Sequence, residues 1–196
     1  MKGVEGLRLW GGRALACLDR AVAGLLAWDE AALERLGGGT FPRALALSFL
    51  VATYVGYGYV WAALALALIA FGTPKDHQNV LIGVGVTASV ILVCQGVKAL
   101  VARPRPPFVR RGFHHQFLTS SSFPSNHTAM AFAMAYVVTR LYPTWYNVLL
   151  LYALALWIGL SRVYLREHYP LDVVGGAALG TYVAHWVFPW LLRCTG

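Results

Sequence analysis

Four stretches of this chain, 44–73, 78–97, 141–161 and 173–192, run without a single Asp, Glu, Lys or Arg, and a fifth, 124–142, carries no charge until Arg140. Each is about long enough to cross ~30 Å of hydrocarbon as a helix. Lipid offers no partner for backbone N–H and C=O groups, so a spanning segment must satisfy its own by coiling. The alternating strands of a membrane barrel are absent. The pattern predicts an all-α, polytopic transmembrane helix bundle of five spans. Ahead of them, Leu15, Leu18, Val22, Leu25 and Leu26 recur at helical spacing, interrupted by Asp19 and Arg20. That mixture predicts an amphipathic helix within 1–40 that lies in the interface, with a sixth span as the alternative. Gly37-Gly38-Gly39 is expected to end it.

Composition agrees. Of 196 residues, 58% are hydrophobic, and only 16 Lys+Arg and 8 Asp+Glu are available to hold the chain in water. A soluble domain is excluded. Lys2, Arg8 and Arg13 arrive before any apolar core, so no secretory signal is expected. No internal repeat or long linker interrupts the chain, which reads as one domain over 1–196. Cys17, Cys94 and Cys194 show neither a disulfide nor a metal spacing and are expected to be buried, inert thiols.

The charge is not spread evenly. With five spans, the connections from span two to three and from four to five fall on one side. The first holds Lys98, Arg103, Arg105, Arg110 and Arg111 with no carboxylate, and the second adds Arg162 and Arg166. Basic loops can simply mark the cytoplasmic side or greet anionic headgroups. Neither explanation asks for the Pro, Ser, His and Asp that accompany these arginines.

Three motifs occupy the two connections: "KALVARPRP" from Lys98, "PSNH" from Pro124 to His127, and "SRVYLREHYPLD" from Ser161 to Asp172. Lys98 ends a span, so its stem can lie along the helix while the ammonium reaches the interface. Arg105 and Arg162 offer planar forks suited to phosphate oxygens. Ser125 and Asn126 precede a helix, where their side chains can cap the first turn and unpaired N–H groups face an anion. Asp172 stands four residues after His168, in a helix that Pro170 opens. It can hold one ring nitrogen and leave the other free as a nucleophile. His127, just inside its helix, is placed to give a proton to a departing oxygen. Metal ligation is the rival chemistry for two His and an Asp, but beyond the N-terminal region the only carboxylates are Asp76, Glu167 and Asp172. Phosphoryl transfer without a metal or other cofactor is the expectation.

These residues resemble the type 2 phosphatidic acid phosphatases, membrane relatives of bacterial acid phosphatases and vanadium haloperoxidases. The family pattern KxxxxxxRP, PSGH and SRxxxxxHxxxD is present in order from Lys98 to Asp172, with Asn126 in place of the glycine. The resemblance implies a haloperoxidase-like helical core in which Lys98, Arg105 and Arg162 hold phosphate, assisted by Ser125 and nearby amides. It implies that His168 attacks phosphorus to form a phosphohistidine, His127 protonates the leaving group and Asp172 orients His168. Ser161 would bind phosphate or brace its turn. Asn126 would either supply a positive φ in place of glycine or narrow the pocket. The text "SFPS-H-T" and "PRP-F-V" is similar to short bacterial undecaprenyl-diphosphate phosphatases of the bacitracin-resistance type, which points to undecaprenyl diphosphate over phosphatidic acid, phosphatidylglycerophosphate or lipid A. A non-catalytic lipid-binding or transport relative is the alternative from another class.

The implied partners are a phosphorylated lipid and the membrane, with no nucleic acid; association into a homo-oligomer stays open. The family implies a bacterial cytoplasmic membrane with the active site facing outward, whereas counting Lys and Arg alone would put the same loops inside. Elsewhere, His185 is expected to be hydrogen-bonded within the bundle and Gly176-x-x-x-Gly180 to permit close helix packing. Trp145, Trp186 and Trp190 suit the interface belt. His114 and His115 need only be solvated, and Tyr57, Tyr59 and Trp61 read as packing or interface residues.

Overall fold

The computed structural model describes residues 2–37, 42–107 and 121–195, with side chains from Ala16 onward in the first of these. Seven helices follow in order: α1 (Lys2–Leu36), α2 (Arg43–Tyr54), α3 (Val60–Phe71), α4 (Pro74–Val101), α5 (Asn126–Leu141), α6 (Trp145–Tyr164) and α7 (Pro170–Thr195). A π-helical turn, Val55–Tyr59, joins α2 to α3. Among the described residues, four helical stretches are long and apolar enough to cross a membrane: Arg43–Phe71, Pro74–Val101, Trp145–Tyr164 and Pro170–Thr195. They match four of the expected spans. Their outward faces carry Leu66, Phe71, Leu92, Leu149 and Trp186 in the open, as a lipid-facing surface requires. The chain is an integral membrane protein.

The fifth expected span is α5, and it occupies the middle of the bundle. At 16 residues it is about 24 Å long, and it packs against α4, α6 and α7. Its alternating alanines explain how. Ala129, Ala131, Ala133 and Ala135 are all buried, and their small side chains allow neighbours close on several faces at once. Ala129 and Ala133 join Ile82, Val86, Val90 and Phe188 in one core cluster; Ala131 and Ala135 join Ala155 and Ile158 in another. On the α7 side the approach is closest. A side chain at Gly176 would come within 2.6 Å of the Ser125 carbonyl, and one at Gly180 would overlap the Ala129 carbonyl. The GxxxG expectation is met, with α5 as the partner.

The helix ends set the heights of the bundle's two faces. Thr73 and Asp76 form a capping box at the start of α4, with Pro74 in its first turn. On that face Tyr142 donates to Asp76 Oδ1 at 2.6 Å and accepts from Asn79 at 3.0 Å, which ties the α5–α6 connection to α4. At the opposite face α4 ends on Ala102 in the left-handed conformation (φ 46°). The chain there turns sharply into Arg103-Pro104-Arg105. Pro104 forms an isolated antiparallel bridge with Ser121.

Helix α1 extends to Leu36, and Gly37 donates back to the Leu33 carbonyl; Gly38 and Gly39 lie outside the described residues. Leu18, Val22, Leu25 and Leu26 are exposed, while Asp29 and Leu33 are buried against the bundle. The helix is amphipathic as expected, but its last turns dock on α6 and α7. Among the cysteines, Cys94 is buried and Cys17 and Cys194 are exposed, so the expectation of burial holds for Cys94 alone. His185 Nδ1 lies 3.1 Å from the Tyr136 hydroxyl, as expected of a bundle histidine.

Candidate active site

Four helix termini meet at the face opposite the capping box: the C-termini of α4 and α6 and the N-termini of α5 and α7. Lys98, in the last turn of α4, is buried, with Nζ donating to the carbonyls of Ser121 (3.0 Å) and Ser122 (3.4 Å). The N-termini of α5 and α7 are joined directly, since the Ser125 N–H donates to the Asp172 carbonyl at 3.0 Å.

The turn after α6 shapes the centre. Arg166 sits at φ 56°, a left-handed conformation unusual for a side chain of that size. The reversal lets the N–H groups of both Glu167 and His168 fold back onto the Arg162 carbonyl, at 3.0 and 3.2 Å. His168 and Arg162 are thereby fixed to one anchor. Both side chains are buried, and the Arg162 guanidinium pairs with Glu167. The Arg105 Nη1 donates to the Glu167 carbonyl at 3.0 Å and lies 3.4 Å from His168 Nε2.

His168 is held from the other side by Asp172. Asp172 Oδ2 accepts the Tyr169 N–H at 3.0 Å and stands 3.5 Å from His168 Nδ1, a loose contact of the kind that tightens when charge forms on the ring. One ring nitrogen thus faces a carboxylate and the other faces Arg105. Burial, with Arg105 and Arg162 adding to it against the pull of Asp172, pushes the imidazole down to about 4 from an ordinary 6.5. Burial likewise lowers the Arg105 guanidinium from its usual value.

His127 is the second residue of α5 and lies in the field of Arg162, His168, Arg105 and Lys98. The edge of its ring meets Tyr57 at 4.9 Å between centroids, and the Tyr57 ring is 5.9 Å from the Arg162 guanidinium. The π-helical turn brings this about: Gly58, at φ 89°, breaks the helical path and swings Tyr57 toward the histidine. Gly56 beside it leaves room, because a side chain there would press on Ile158 and approach His127.

Three expectations change in detail. Ser125 is the residue that opens α5, but its hydroxyl makes no cap bond and instead accepts from Thr128 Oγ1 at 3.1 Å. Asn126 is helical rather than at positive φ, and its Oδ1 is buried with no hydrogen-bond partner, so the positive-φ role suggested for it does not apply. Ser161 donates to the Ile158 carbonyl at 2.7 Å and accepts from Thr53 at 3.2 Å, which makes it a brace between α6 and α2. Arg110, Arg111, His114 and His115 lie outside the described residues. Sequence reasoning missed Tyr57, the pairing of Glu167 with Arg162, and Asp29. Only Glu167 had a local signal, its place next to His168. Among the described residues no three of His, Cys, Asp and Glu gather as a metal site.

All three motifs therefore converge on one end of the bundle. The model of the PAP2 superfamily matches residues 79–195, more than half of the chain and every one of the three motifs. The chain belongs to the PAP2 superfamily. Two curated PAP2 relatives are BcrC proteins of Bacillus, each 30% identical. That of Bacillus licheniformis, named a bacitracin transport permease protein, aligns over 139 residues, 66% of this chain and 66% of its own. That of Bacillus subtilis, named an undecaprenyl-diphosphatase, aligns over 132 residues, 65% of this chain and 66% of its own. The match thus spans slightly under two thirds of each relative. The crystal structure of Aquifex aeolicus LpxE superposes with a TM-score of 0.66 at 28% identity, covering 81% of this chain and 94% of that one. By family and fold the chain is a PAP2 membrane protein.

Proposed function

We propose that this PAP2 protein hydrolyses the phosphate or diphosphate headgroup of a membrane lipid through a phosphohistidine on His168, and that the lipid is undecaprenyl diphosphate. The observation that carries the reading is the line Asp172–His168–Arg105. Asp172 faces Nδ1, which leaves the Nε2 lone pair directed to where Arg105 would hold a phosphoryl oxygen. Lys98, Arg105 and Arg162 supply the positive charge, and the first N–H groups of α5, which no side chain caps, complete the cradle.

In the first step Nε2 attacks the terminal phosphorus, the bond from phosphorus to the lipid-side oxygen breaks, and His127 gives its proton to that oxygen. Asp172 stabilises the positive charge that forms on His168. In the second step water attacks the phosphohistidine, His127 takes the proton, the P–N bond breaks, and inorganic phosphate leaves with His168 neutral again. Fixed cations stabilise the charge on the equatorial oxygens in both steps. Tyr57 orients His127 by edge contact. A relative that only bound or carried lipid would have no use for a nucleophile backed by a carboxylate.

The choice of undecaprenyl diphosphate rests on the 30% identity to the Bacillus subtilis undecaprenyl-diphosphatase. We place the protein in a bacterial cytoplasmic membrane with this face outward. The arginines of the face are poor reporters of topology because each has local work: Arg103 pairs with Asp29 and Asp172, Arg162 with Glu167, and Arg166 with Glu34.

The test offers purified protein undecaprenyl diphosphate, phosphatidic acid, phosphatidylglycerophosphate and lipid A side by side, with and without chelator. Release of phosphate is expected fastest from the first and unchanged by chelator. His168→Ala should abolish it, and wild-type enzyme quenched in alkali should carry phosphate that acid then releases. Activity lost on removing divalent ions would overturn the mechanism. Preference for another lipid would overturn the substrate alone.

A further inference from the structure

The catalytic steps make no use of Asp29, yet it is a fully buried carboxylate and comes from α1, outside the residues that the family model matches. A buried charge is retained only where it is paired, and Asp29 is paired twice. Its Oδ2 lies 2.8 Å from Arg103 Nη2, and its Oδ1 accepts the Leu171 N–H at 2.8 Å, in the first turn of α7. Arg103 Nη1 is 2.9 Å from Asp172 Oδ1, and the guanidinium lies over the Tyr169 ring at 3.9 Å. Beneath the cluster Leu33 packs with Val163 and Tyr169. The charged and titratable groups around it are Arg103, Asp172 and Tyr169, with Glu30 on its own helix.

The physical consequence lies in how the guanidinium divides its donors. An arginine facing Asp172 alone would favour the two-pronged fork that guanidinium and carboxylate form together, and that fork would take both Asp172 oxygens. Shared with Asp29, Arg103 gives Asp172 one N–H only. The second Asp172 oxygen stays directed at the Tyr169 N–H and His168 Nδ1. Asp29 also steadies the first turn of α7, on which Asp172 rides. We propose that Asp29, acting through Arg103, is a positioning residue that keeps Asp172 aimed at His168, so that the N-terminal helix is part of the catalytic apparatus. The proposal rests on His168 being the nucleophile.

The experiment uses the full chain in detergent micelles and compares wild type, Asp29→Asn, Arg103→Gln, the double variant and Glu34→Gln. It reads kcat, KM and the 15N resonances of the His168 ring. Glu34 holds the same helix through Arg166, but its side chain is 66% exposed, so that pair contributes little and Glu34→Gln should keep wild-type kcat. Asp29→Asn should lower kcat by about tenfold or more with KM within about threefold, and should displace the Nδ1 resonance; added to Arg103→Gln it should cost nothing further. Wild-type kcat in Asp29→Asn, equal losses in Glu34→Gln, or losses that multiply in the double variant would each overturn the proposal. Should Asp29→Asn fail to fold, Arg103→Lys carries the same test, because an ammonium keeps the charge but lacks the fork that bridges two carboxylates. Wild-type kcat there refutes it. If the wild type releases no phosphate from any lipid, the nucleophile reading fails by itself, and the ring resonances still decide the role of Asp29.

Discussion

His168 is uncharged across the working range because its surroundings penalise the imidazolium. Burial and two arginines outweigh one carboxylate and bring the ring down to about 4. Since the depressed group is a base, its neutral form predominates above that value. The acid limb that His168 contributes to the rate should therefore fall near pH 4, and a 15N titration of the ring in micelles is expected to show no protonation between pH 7 and 5. A midpoint near 6.5 would mean that the ring is solvated. At Asn126 the expectation differs from that for a positive-φ site. Its backbone is helical and its Oδ1 is unpaired, so Asn126→Gly should cost less than about 1 kcal/mol of stability while widening the range of lipids hydrolysed. A melting curve and the four-lipid assay read the two effects separately. The gathering of Lys98, Arg105, His127, Arg162, His168 and Asp172 at one end of the bundle was legible in the sequence, because their three motifs fall in two connections on the same side. Asp29 was not legible. It is one carboxylate among several in an amphipathic stretch, and only the folded bundle brings it to Arg103.

At the scale of elements, the pairing of α5 with α7 carries the site, because one helix presents His127 and the other Asp172. Gly180 makes that pairing close. Gly180→Ala would drive a methyl into the Ala129 carbonyl and should destabilise the protein by about 1–3 kcal/mol, with activity falling as the two N-termini separate. Gly96 in α4 is the counterpart: beyond its own helical turn, no atom lies within 4 Å of the position its Cβ would take. Gly96→Ala should stabilise by about 0.5–1 kcal/mol and leave turnover unchanged. Thermal unfolding and initial rates of the two variants, measured together, check the argument. Opposite signs are expected; equal gains would mean that helix propensity, not contact, governs both sites. The spans were legible because uncharged runs of that length have few other uses. The break at Val55–Tyr59 was not, since "VGYGY" reads as more apolar span, and the turn is set by packing against Ile158 and His127.

Across the whole molecule the two faces of the bundle differ in kind. On one, Asp76, Asn79 and Tyr142 tie the connections together, with Lys75 in the first turn of α4 and Arg140 in the last turn of α5. The other concentrates Lys98, Arg103, Arg105, Arg162 and Arg166, and a count of charge alone assigns it to the cytoplasm. That count presumes that loop cations have no other reason to exist. Here Arg103, Arg162 and Arg166 are ion-paired with Asp29, Glu167 and Glu34, so three of these cations have a local structural reason to be there. The outward placement of the site can be tested with single cysteines. Cys17 and Cys194 are exposed and are first replaced by Ala. Pro107→Cys then reports the cradle face and Lys75→Cys the opposite one, both at exposed positions. In intact cells a membrane-impermeant maleimide should label the cysteine at 107, and the one at 75 only after the membrane is opened. The reverse pattern would put the cradle inside the cell, where the lipid it acts on would have to present its phosphate to the cytoplasm.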